Sequence, residues 1–148
     1  GATPPVSYCT AGTTTNGCNA TMSATGTPSV SASSGFVVSC SNVEGQKQGI
    51  VFYGVSGPHA APWGPGNTSF FCVKPPVQRL PAQNSNGNAG QCDGVLAHDL
   101  LAYLFTHPTA LGNPFSAGQK AWLQSWFRDP PAQTTTNLSN GLEITFQP

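Results

Sequence analysis

Short alternating or continuous apolar runs, separated by turn residues, recur along the chain and predict β-strands rather than helices. Ser29 to Ser33 and Leu142 to Gln147 alternate, and Gly49 to Val55 is dense in β-branched and aromatic residues through Ile50-Val51-Phe52-Tyr53. Ala20 to Thr25, Phe36 to Cys40 and Ser69 to Val73 have the same character, with Thr27-Pro28 and Ser34-Gly35 as punctuation. Lys120 to Arg128 fits two periods, because Trp122 and Trp126 stand four apart while Leu123, Ser125 and Phe127 alternate with them. Its flanks, Gly118 and Pro130-Pro131, and its length suit a strand, with Trp122 and Trp126 on one face in the core. Val95 to His107 carries the helical spacing Leu96, Leu100, Leu101 and Leu104, stopped by Pro108, and is expected to begin as strand and turn helical over 99–106. Residues 56–68 and 84–90 read as loops, and Asn140-Gly141 as the turn before the last strand. The pattern is that of an all-β antiparallel sandwich of seven or eight short strands, one short helix and a single domain over 1–148. Residues 1–8, with Pro4 and Pro5, form an extended tail.

Composition narrows the function. Charged residues are 7% of the chain, and five Lys and Arg balance five Asp and Glu. A neutral surface without a basic stripe has no footprint for nucleic acid or for anionic lipid, so neither is an expected partner. No apolar run reaches the length of a membrane span. The chain opens at Gly1 without a signal-type apolar segment and is read as a mature or trimmed product.

Cys9, Cys18, Cys40, Cys72 and Cys92 contain no C-x-x-C pair, and His59, His98 and His107 are scattered, so no metal or other cofactor is expected. Disulfides in an oxidising, extracellular setting fit better. Nearest-neighbour spacing pairs Cys9 with Cys18 and Cys72 with Cys92, leaving Cys40 as a buried free thiol in the apolar Phe36 to Cys40 run.

Several strings resemble, in their order, an uncharacterised Cys/Trp-containing β-module near the C-terminal ends of secreted or surface proteins of environmental bacteria. They are Tyr8-Cys9-Thr10 with Gly17-Cys18, Val43-Glu44-Gly45, Pro62-Trp63-Gly64, Phe71-Cys72-Val73-Lys74-Pro75-Pro76, Cys92-Asp93-Gly94, Trp126-Phe127-Arg128-Asp129-Pro130 and Asn137-Leu138-Ser139. The resemblance covers nearly the whole chain and carries no activity with it. Members it resembles can hold a further Cys near the end of the last strand, where this chain reads Phe146-Gln147-Pro148, so the resemblance implies no partner for Cys40.

No set of residues assembles an enzyme. There is no G-x-S-x-G elbow and no phosphate-cradling loop, and the neighbours His98 and Asp99 point to different faces in any regular structure. Arg128 and Asp129 read as an ion pair or turn cap at a strand exit. The functional lead is aromatic: Trp63, in a Pro/Gly loop, is the candidate binding residue. Asn19, Asn67 and Asn137 head glycosylation-type triplets, and the Thr-rich stretches near Thr3 and Thr13 to Thr15 suit O-linked sugars.

Two functions follow as expectations. The first is an extracellular structural protein that associates with itself, a subunit of a filament or surface assembly, its tail anchored by Val6 and Tyr8 on a neighbouring copy. The second is a carbohydrate-binding or adhesive module of a secreted protein.

Overall fold

The computed structural model describes residues 3–64, 68–130, 132 and 135–148. In chain order its elements are β1 (Val6–Tyr8), β2 (Thr21–Gly26), β3 (Phe36–Val43), β4 (Gln48–Gly54), β5 (Pro58–Pro62), β6 (Phe70–Val73) and β7 (Val77–Arg79). Then come β8 (Gln83–Asn84), β9 (Gly94–Asp99), α1 (Leu100–Thr106), β10 (Lys120–Arg128), β11 (Thr136–Leu138) and β12 (Gly141–Thr145). The fold is all-β with antiparallel strand pairs, as the alternation requires. The twelve strands among the described residues exceed the seven or eight expected, because β1, β7, β8 and β11 are only two or three residues long and too short for a period to be read.

Two sheets enclose the main core. One has seven strands in the order β1-β12-β10-β4-β7, with β11 beside β10 and β8 beside β4, and the other runs β2-β3-β9. Their inner faces meet through Met22, Phe36, Val38 and Leu96 on the small sheet and Val51, Tyr53, Leu123, Phe127 and Ile144 on the large one. Each set occupies alternate positions of its strands, so one face of every strand is removed from water. Leu100, Leu101 and Leu104 add the buried face of α1 to the same core. Asp99 starts that helix by accepting from the Ala102 amide at 3.1 Å, and its second oxygen accepts from the Gly35 amide at 2.8 Å. A third unit, the antiparallel pair β5–β6, lies against the outer face of the large sheet, where Phe52, Val73 and Leu138 form a second, smaller core.

Four expectations are corrected. The disulfides join Cys9 to Cys72 and Cys18 to Cys92, with Cα separations of 6.3 and 5.5 Å, not Cys9 to Cys18 and Cys72 to Cys92. Spacing misleads because the 9–18 loop crosses between layers: Cys9 follows β1 at the edge of the large sheet, beside β6, whereas Cys18 leads into β2 of the small sheet. The tail is not free for a neighbour. Its Val6, Ser7 and Tyr8 pair with Glu143, Leu142 and Gly141 of the same chain, and the Tyr8 hydroxyl donates to the Cys72 carbonyl at 2.7 Å. A strand tethered beside its own open edge by the adjoining Cys9–Cys72 bridge meets that edge first. Ser29 to Ser33 is not a strand: Ser29 makes a single bridge to Gln147, and its hydroxyl bonds locally to Ser31 and, across the chain, to the Pro148 carbonyl. Within the expected 56–68 loop, β5 is a proline-bounded strand paired only with β6, the position in which a strand tolerates proline.

Cys40 is the buried free thiol, and burial pushes its pKa up to about 12 despite hydrogen bonds from Ser125 and Ser139. The two disulfides suit an oxidising compartment. Among the described residues no helix is long and apolar enough to cross a membrane.

Candidate functional site

The site is built on the outer face of the large sheet. In β10 the odd residues Ala121, Leu123, Ser125 and Phe127 are buried toward the main core, so Trp122, Gln124, Trp126 and Arg128 face the other way. Register carries that face across the sheet: Trp126 lies opposite Ile50, Gln124 opposite Phe52, and Phe52 opposite Arg79. The β5–β6 pair covers part of this surface. Phe71 stacks on Phe52 with ring centres 5.6 Å apart and planes 14° apart, and Trp63 stacks on Phe71 at 5.9 Å and 16°. Gln124, fully buried, ties the cover down by accepting from the Cys72 amide at 2.9 Å and donating to the Phe70 and Ser139 carbonyls at 2.8 and 2.7 Å. The Cys9–Cys72 bridge and the Tyr8 hydroxyl fasten the same strand from the side.

Between this cover and the exposed end of β10 a groove of about 340 Å³ stays open. Phe52, Trp63, Phe71 and Trp126 supply aromatic rings, Ile50 and Val77 the aliphatic floor, and Arg79, Arg128 and two threonines the polar rim. The Trp63 indole N–H donates to the Thr136 hydroxyl at 2.9 Å, which fixes the ring plane. The Arg128 guanidinium lies 5.0 Å from the Trp126 ring centre, a cation–π contact that holds both at the groove end. Of the two readings of the strand exit, ion pair or turn cap, Arg128 and Asp129 do not form the ion pair. The successive side chains leave opposite faces: Asp129 turns inward and accepts from the Thr15 amide and hydroxyl and from the Asn137 amide at 2.6–3.1 Å.

The placement of the expected residues is uneven. Trp63 is in the site, half-buried rather than free, because it closes one end of the second core while its edge lines the groove. Trp126 joins it there, and Trp122 does not: its indole N–H donates to Glu143 at 3.1 Å, beside the Lys120–Glu143 ion pair. Both β10 tryptophans therefore lie outside the main core, not within it as the strand pattern suggested. Their alternation with the odd residues was the signal, since the odd face alone already makes a complete inner surface. Arg79, Ile50, Phe71 and Val77 had no local signal; β4–β7 pairing brings them in. Asn137 is buried, with its side chain bonded to Ser69, Asp129 and Thr13, so it is no glycan acceptor in the folded chain. Asn19 is exposed, and Asn67 lies outside the described residues. His98 contacts the Pro81 carbonyl at 3.0 Å, and Asp99 caps α1, so the two serve separate local structures. Among the described residues no three His, Cys, Asp or Glu side chains cluster as metal ligands.

A second surface lies beside the helix. Phe105 is 71% exposed, on the rim of a cavity of about 370 Å³ lined by Leu101, Leu104, Phe115 and Phe146.

The fold and the groove define an all-β, disulfide-linked sandwich with a fixed aromatic cleft on one outer face. Comparison with family models, with curated proteins and with solved structures gives no match.

Proposed function

We propose that the chain is a secreted or cell-surface polysaccharide-binding module, acting through the cleft between Trp63 and Trp126. The observation that carries this reading is four aromatic rings, Phe52, Trp63, Phe71 and Trp126, around one open groove on an outer sheet face, where solvation alone would favour small polar residues. A pyranose ring has apolar C–H faces and a hydroxyl edge, so it stacks on indole while its edge bonds to arginine and threonine on the rim. A glycan array with the natural chain and with Trp126→Ala tests the reading. Binding that at least tenfold weaker retention removes in the variant, with the far-ultraviolet dichroism unchanged, supports it; equal retention of both proteins refutes it.

A second reading, a self-associating subunit of an extracellular filament or surface assembly, is favoured by Phe105. An aromatic ring this exposed beside an apolar cavity is the kind of surface that a second copy would cover, and zero net charge puts no long-range repulsion between copies. Its route is the helix surface and not the N-terminal strand. Electron microscopy and sedimentation of the natural chain should show assemblies that Phe105→Ser dissolves; a monomer at all concentrations rejects this reading.

A further inference from the structure

We infer that the polysaccharide taken by the aromatic cleft is acidic, a polymer of sugars bearing carboxylates, with Arg79 and Arg128 as the groups that read the charge. This rests on the polysaccharide-binding reading above.

All five acids are engaged away from the groove. Glu44 is buried and accepts from the Asn16 side chain at 2.7 Å and its amide at 3.3 Å. Asp129 is buried on Thr15 and Asn137. Asp93 accepts from the Asn88 amide and side chain, Asp99 from Gly35 and Ala102, and Glu143 from Lys120 and Trp122. Every carboxylate is thus held by a group other than arginine, and none lines the groove. Of the five basic residues, two are arginines, and both stand on this one rim. Neither guanidinium has an ion-pair partner among the described residues. In a chain this poor in charge, placing both arginines around one aromatic cleft and every acid elsewhere leaves the cleft locally positive within a neutral molecule.

Geometry spreads the two charges along the groove. Arg79 is in register with Phe52 and Gln124, while Arg128 is four residues further along β10 and on the other side of β4. With about 3.3 Å per residue and about 4.8 Å between strands, their Cα atoms are separated by roughly 16 Å. A chain carrying a carboxylate on successive rings, lying along the groove, meets each arginine in turn. The planar fork of guanidinium accepts a carboxylate through two parallel hydrogen bonds, and the rings between the arginines take the sugar faces. Single-stranded nucleic acid is also anionic and stacks on aromatic rings, but its charge runs continuously along the backbone, and no continuous basic track adjoins this groove.

Affinity gel electrophoresis and calorimetry of the whole chain at low salt decide it, using polygalacturonate, the same polymer fully methyl-esterified, xyloglucan, dextran sulfate and oligothymidylate. The expected result is at least tenfold tighter binding of polygalacturonate than of its ester, and tighter than of the other three probes. Arg79→Gln with Arg128→Gln should bring acid and ester to equality, and Trp126→Ala should weaken both. Equal binding of acid and ester by the natural chain, or a preference that survives in the double glutamine variant, overturns the acidic assignment and leaves the polysaccharide reading standing. Binding of xyloglucan alone has the same meaning. Tighter binding of dextran sulfate or oligothymidylate overturns the carboxylate assignment, and retention by none of the polysaccharides removes both conclusions.

Discussion

Asp129 and Asn137 show how a few polar side chains organise the molecule from inside. Both are buried, and Thr15 bonds to the carboxylate of Asp129 while Asn137 bridges it to Ser69, so the 12–16 loop is fixed across the end of β10 and β11. Truncating Asn137 to alanine leaves a buried carboxylate short of a donor, and we expect a loss of about 2–3 kcal/mol in urea unfolding. Occupancy of Asn137 by a glycan in the intact protein would contradict this placement. Cys40 gives a pH dependence with a fixed sign. Its folded pKa is raised from 9.0 to about 12 by burial, so the unfolded chain releases this proton first. The contribution is complete below pH 9.0 and is lost as pH rises toward about 12. Burial raises Tyr8 and Tyr53 as well, and they act in the same direction. Unfolding measured from pH 8 to 11 should therefore show a decline that Cys40→Ala makes shallower, and iodoacetamide should label Cys40 only under unfolding conditions. Labelling of the folded chain at pH 8 would show an accessible thiol instead.

At the scale of elements, edges and caps decide what the sequence could reveal. The helix over 99–106 was readable because leucine spacing, a capping aspartate and a proline stop agree at one place. Burial raises the Asp99 carboxyl, but backbone donors, Gly35 and Ala102 foremost, together outweigh it and hold the group below its usual range. Its contribution is therefore present above the ordinary carboxylate pKa and fades as pH falls through the lowered value. Asp99→Ala should cost about 1–2 kcal/mol at pH 7, and the difference from the natural chain should shrink in acid. Strand β1 was legible as an extended segment but not as a member of this sheet, because pairing with β12 depends on a partner more than a hundred residues away. Gly141 marks the contact. A Cβ there would lie 2.4 Å from the Tyr8 ring, so Gly141→Ala should displace β1 and speed amide exchange at Val6 to Tyr8 without unfolding the core.

At the scale of the whole molecule, Cys9–Cys72 fastens β6 to the edge of the large sheet, and Cys18–Cys92 joins the segments that lead into β2 and β9 of the small sheet, closing a loop with a sequence separation of 74. Replacing Cys18 and Cys92 with serine should lower stability by about 4 kcal/mol. Peptide mapping of the unreduced chain should recover Cys9–Cys72 and Cys18–Cys92, and a Cys9–Cys18 fragment would contradict the layer order itself. The alternation of short runs made the sandwich legible, and one half of the cleft, Trp63, could be named from its loop. The rest needed the sheet. Arg79 and Trp126 are separated by about a third of the chain in sequence and meet only because β4 pairs with β7 on one side and β10 on the other.

The central claim is that the cleft between Trp63 and Trp126 binds a polysaccharide, and the three indole N–H protons report on it separately. A nitrogen–proton NMR titration with oligogalacturonate should shift the Trp63 and Trp126 indole signals in proportion to saturation. The Trp122 signal, held on Glu143 outside the cleft, should stay in place. No movement of the Trp63 and Trp126 signals with a large excess of oligogalacturonate and of neutral xyloglucan oligosaccharide alike, or movement of Trp122 alone, would contradict the account.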